Sequence, residues 1–129
     1  MLDHVGFAVT DAERSRRFYE HSLAPLGITL LMSATPEQTE AGGTAHGFGS
    51  EGKPYFWIGD NERVGEGTHV AFTVESRAKV HAFYEAALAA GGRNNGAPGL
   101  RPHYHPDYYA AFIHDPDGIN VEAVCHRPE

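Results

Sequence analysis

The stretches HVGFAV (His4 to Val9) and HVAFTV (His69 to Val74) carry one pattern twice, 65 positions apart. In each, Val, Phe and Val alternate with a leading histidine and small residues. Side chains alternate faces along a β-strand, so each stretch predicts a strand with one bulky apolar face. The other face holds a histidine beside Gly6 and Ala8, or beside Ala71 and Thr73.

Working outward, the same offset places Phe18 on Phe83, Tyr19 on Tyr84, Glu20 on Glu85, Leu23 on Leu88 and Gly27 on Gly92. A repeat seen twice at this period indicates two similar modules rather than a solenoid, whose repeats are shorter and more numerous. Asp11 and Ser76 suit helix N-caps, and Gly27 and Gly91–Gly92 suit helix ends. Shorter strand signals follow at Ile28–Met32, Ala45–Phe48 and Tyr55–Ile58, and later at Tyr108–Ile113 and Asn120–Val124. Asp115-Pro116-Asp117-Gly118 is a turn sequence. The stretch from Arg93 to Asp107 is rich in Gly, Asn and Pro and reads as an excursion over the open end of the sheet. The expectation is an α+β fold in one domain, residues 1–129. Two βαβββ modules in tandem (1–60 and 66–129) form a curved mixed sheet, a cup, with helices on its outer face.

The formal net charge is −7, and the basic residues are scattered. That argues against nucleic acid, whose phosphate backbone calls for a basic patch. No apolar run approaches the roughly 18 residues of a membrane span, so no membrane partner is expected. MLDHVGFAV has no basic region ahead of its apolar residues, so it reads as a strand and not a signal peptide. The one cysteine, Cys125, precludes an internal disulfide and fits a cytoplasmic protein.

In Asn120-Val121-Glu122-Ala123-Val124, the register puts Glu122 on the face away from the helices. A carboxylate in the middle of an apolar strand is costly unless it is paired or ligating. His4, His69 and Glu122 can therefore converge on a divalent metal. Two His and one carboxylate are the facial triad of non-haem Fe(II) enzymes, and Mn, Zn or Ni also accept the set. Such a site would leave positions for adjacent oxygens of a small-molecule substrate. It would also weaken in acid, because the imidazoles must be neutral to ligate.

The paired modules, both HVxFxV strands and the closing DPDGINVEAV resemble the vicinal oxygen chelate superfamily, the glyoxalase, bleomycin-resistance and extradiol-dioxygenase proteins. The resemblance covers nearly the whole chain. It implies metal ligands at His4, His69 and Glu122, with Fe(II) favoured. It also implies a homodimer, with the modules paired within one chain or across two. Trp57 stands where relatives place a fourth ligand, which weakens a glyoxalase-type lyase or isomerase. Phe112 stands where the dioxygenase pattern has tyrosine, and Tyr108 can substitute if it shares that face. An extradiol-dioxygenase-like enzyme is favoured, with a lyase or isomerase and a metal-free antibiotic-binding protein as alternatives. Glu122, His105 and Tyr108 are the expected catalytic groups. Tyr55, Trp57, Tyr104, Tyr109, Phe112 and Arg101 are the expected substrate contacts. Arg101 and Arg93 lie near the mouth, where each could meet a carboxylate or phosphate.

Overall fold

The computed structural model describes residues 1–40 and 42–129. The first module runs β1 (Val5–Ala8), α1 (Ala12–Leu23), a 3-10 turn (Ala24–Leu26), β2 (Thr29–Ala34), β3 (Ala45–Ser50) and β4 (Lys53–Gly59). The second runs β5 (His69–Thr73), α2 (Arg77–Ala89), β6 (Arg93–Leu100), β7 (Tyr109–His114) and β8 (Asn120–Cys125). The strands form two four-stranded mixed sheets of identical order, β1-β4-β3-β2 and β5-β8-β7-β6. In each, the module's first strand lies parallel to its last, and the remaining pairs are antiparallel.

The repeat seen in the sequence is a repeat of register. Gly6 lies opposite Trp57, and Ala71 opposite Glu122. Each helix begins where a short polar side chain caps it. Asp11 Oδ1 accepts the Arg14 N–H at 3.0 Å, and Ser76 Oγ accepts the Lys79 N–H at 3.2 Å. Gly27 (φ 76°) and Gly91 (φ 102°) take the left-handed turn that ends each helical segment.

Two differences from the sequence reading concern strands. The stretch from Arg93 to Asp107 is not all excursion, because its first eight residues form β6, paired with β7. Its ladder is interrupted between Asn94 and Gly96 and again between Gly96 and Gly99. Backbone pairing therefore holds this strand despite its Gly and Pro, and no side-chain pattern announces it. Val5, expected on the packed face, is 39% exposed. As the first residue of its strand it borders the gap between β1 and β5. A cavity of about 350 Å³ there is lined by Leu2, His4, Tyr55 and Val70 among others.

The main core draws on both modules. Phe18, Tyr19, Phe48, Phe56, Phe72, Phe83, Ile113 and Val121 are buried in one cluster. Phe18–Tyr19 (4.9 Å), Tyr19–Phe56 (5.0 Å) and Phe56–Phe72 (5.3 Å) meet edge to face, the arrangement that ring quadrupoles favour. Burial of each such ring contributes roughly 1.5–3 kcal/mol. Helices α1 and α2 pack against each other on this side. A polar strut joins the modules as well. The buried Tyr19 hydroxyl donates to Asp115 Oδ2 at 2.5 Å. Asp115 Oδ1 accepts the N–H groups of Asp117 and Ile119 within its own turn. Asp117 in turn takes the Thr10 N–H and the Arg14 guanidinium. With α1 and α2 on one side, the faces bearing His4 and His69 are left open.

Candidate functional site

Glu122 sits in β8, flanked by β5 and β7, and is 1% exposed. Both of its oxygens are engaged. His69 Nε2 lies 2.9 Å from Oε1, and the Tyr108 hydroxyl donates to Oε2. A carboxyl group this deep needs such partners, since a buried polar group left without hydrogen bonds is costly. The pair is within reach because His69 opens β5 opposite Asn120, two residues before Glu122 on the same face. Tyr108 immediately precedes β7, and its side chain reaches the same face. Burial, and then the bond to Glu122, push the Tyr108 phenol well above its ordinary range. It therefore stays a donor throughout the physiological range. Phe112 lies opposite Glu122, with its ring 6.2 Å from that of His69. Arg101 lies over the other end of this patch, its guanidinium carbon 5.3 Å from the Phe112 centroid.

His69 and Glu122 fit a metal as two adjacent ligands. An imidazole nitrogen and a carboxylate oxygen are donors that divalent metals accept, and here the two lie side by side at hydrogen-bond distance. His4 stands apart from them. Its Nδ1 is 2.7 Å from Asp3 Oδ2, and Asp3 also holds Lys53 Nζ at 2.8 Å. Among the described residues, no three His, Cys, Asp or Glu side chains are grouped so as to hold a metal ion. In the first module, Trp57 occupies the place that Glu122 has in the second, and Gly47 occupies the place of Phe112. A Cβ at Gly47 would come within 2.8 Å of the indole, so the tryptophan fills the space that Phe112 fills in the second module.

The glyoxalase/bleomycin resistance protein/dioxygenase superfamily model matches residues 1–123. The chain belongs to that superfamily. Among solved structures of the superfamily, a glyoxalase/bleomycin resistance protein from Albidiferax ferrireducens T118 is 29% identical, with TM-score 0.77 and 99% of each chain covered. Glyoxalase I from Zea mays is 28% identical, with TM-score 0.71; the match covers 96% of this chain and 45% of that one. A glyoxylase/bleomycin resistance protein/dioxygenase domain from Frankia sp. EAN1pec, 20% identical with TM-score 0.76, shares the fold over 98% of both chains. No curated protein matches.

The other residues singled out from this superfamily member's sequence divide between two faces. Tyr55 lines the cavity beside His4, its hydroxyl 3.2 Å from Ser50 Oγ. Tyr104 is 62% exposed and stacks edge-on against Tyr108 at 5.2 Å. His105 is not brought to Glu122. Its Nδ1 accepts the Asp107 N–H at 3.2 Å, and its ring faces His126 at 5.8 Å. Tyr109 is directed to the helix side, where its hydroxyl meets His81 Nε2 at 2.6 Å and its ring carries the Arg77 guanidinium. A one-residue step along a strand reverses the face, which separates Tyr108 from Tyr109. Two residues of this surface had no sequence signal. His126 packs edge-on against Tyr108 at 5.2 Å, and Gly47 is legible only through its cross-strand partner.

Proposed function

We propose that the protein is a metal-dependent enzyme acting on a small molecule with two neighbouring oxygens. The observation that carries this is the buried Glu122 carboxylate, held by His69 and Tyr108 on a face lined by small residues and open to solvent. His69 and Glu122 would hold a divalent ion, and His4 of a second copy of the chain would complete the set. The active form is then a homodimer that shares its sites. The metal would supply a Lewis acid for the paired oxygens. Tyr108 keeps its proton, hydrogen-bonded to Glu122, and so holds the carboxylate in place beside the substrate. Phe112 borders this patch as an apolar wall, and Ala71, opposite Glu122, leaves room for the substrate.

Within this reading, three protein ligands and the Tyr108 hydroxyl favour an extradiol-dioxygenase-like reaction on Fe(II). The likeness to maize glyoxalase I favours a lyase or isomerase on another divalent ion, and Trp57 at the fourth ligand position counts against it. The test is metal content of untagged protein purified without chelators. About one divalent ion per chain is expected, lost in His69→Ala and in His4→Ala. Iron would direct the assay to catechols with dioxygen, and another ion to thiol adducts without it. No metal bound and none taken up on reconstitution would overturn the proposal in favour of a metal-free binding protein.

A further inference from the structure

We infer that Arg101 is the anchor for a carboxylate on the substrate, so that the ligand of this face is a planar organic acid. The inference rests on the reading of the His69–Glu122 face as the substrate site. In a chain of net charge −7 with ten Lys and Arg residues, five of them pair with a carboxylate among the described residues. Arg14 pairs with Asp117, Arg16 with Glu13 and Glu20, and Lys53 with Asp3. Arg101 has no carboxylate partner among the described residues. Glu122 meets His69 and Tyr108 instead.

The guanidinium is nonetheless fixed in place. Nη1 donates to the Gly99 carbonyl at 2.7 Å and Nη2 to the Ala97 carbonyl at 2.9 Å. The face of the group covers Phe112. Room for it is made by glycine. A Cβ on Gly96 would stand 3.1 Å from Nη2, and one on Gly99 would stand 3.3 Å from Nη1. The glycines of β6 thus form a seat for this one side chain. A guanidinium has five N–H donors; the two spent on backbone leave Nε and one hydrogen on each terminal nitrogen. Their fork matches the two oxygens of a carboxylate, and a pre-positioned fork loses little freedom on binding. Phe112 meets this cation, lies opposite Glu122 and has its ring near that of His69. A flat body held beside the ring would place its carboxylate at Arg101 and its oxygen functions toward Glu122.

Benzoate and its neutral counterpart benzamide test the assignment, titrated into the whole protein at millimolar concentration and followed by amide chemical shifts. Saturable shifts at Gly96, Gly99 and Phe112 with benzoate, and none with benzamide, are expected. Arg101→Gln should weaken benzoate by about tenfold or more, the effect of losing a charge-assisted pair. Arg101→Lys should recover only part of the affinity, because an ammonium lacks the fork. The inference is overturned if Arg101→Gln binds benzoate as wild type does, or if Arg93→Gln is the variant that loses it. Metal content, measured alongside, separates this result from the enzyme reading. Benzoate bound at Arg101 by a protein that takes up no metal retires the enzyme and keeps the anchor. Metal bound without benzoate at Arg101 does the reverse.

Discussion

Glu122 and Tyr108 form a unit whose removal can be measured without substrate. Tyr108→Phe leaves Oε2 buried without its donor, which should cost about 1–3 kcal/mol in urea unfolding. An unchanged midpoint would mean that water replaces the phenol. His46 gives a pH test elsewhere. It is 5% exposed, with Nδ1 2.8 Å from Ser33 Oγ and Nε2 without a hydrogen-bond partner among the described residues. Burial, assisted by the neighbouring Arg16, holds its pKa below the ordinary 6.5. The unfolded chain therefore takes up this proton before the fold does. The contribution is full above about pH 6.5 and is lost as pH falls through the lower folded value. Unfolding free energies across this window should show that decline, and His46→Gln should flatten it. His69 and Glu122 were legible because duplication and strand alternation fix their face. Tyr108 was less so, because its reach to Glu122 depends on where β7 begins. The Arg101 seat was hidden, since it depends on two carbonyls of a strand that the sequence did not announce.

The strands of the two modules divide one arrangement in two ways. Where β7 and β8 set Phe112 beside Glu122, β3 and β4 set Gly47 beside Trp57. Gly47→Ala should push the indole off β3, lowering stability by about 1–3 kcal/mol. Because Trp57 is the only tryptophan, its emission should shift too. Adding Trp57→Phe should restore most of the loss, and failure to do so would place the strain in the backbone. Both helices and seven of the eight strands follow from period, caps and the repeat. The eighth, β6, is required by the second βαβββ module, but its residues carry no strand signal, for a physical reason. Its residues Asn94, Asn95, Gly96, Pro98 and Gly99 lack the branched and aromatic side chains that mark strands. Its order comes from main-chain pairing to β7.

At the scale of the molecule, a shared site predicts complementation. His4→Ala and Glu122→Gln chains should each hold little metal alone. Mixed and allowed to exchange, half the dimers at random pairing contain one intact site, so about a quarter of full metal content should return. No recovery from subunits shown to exchange would place each site within one chain. The strut from Tyr19 to Asp115 has a further consequence. With an aromatic core common to both modules, it ties α1 to the turn before β8, so each half contributes what the other must bury. The link from Asp60 to Thr68 packs Val64 onto that core but carries neither the strut nor the aromatic rings. Cutting it should therefore yield a two-piece protein that stays assembled, and fragments 1–62 and 66–129 made separately should be unstructured until they meet. The chain would then serve as a split sensor, whose reassembly reports that two other proteins have been brought together.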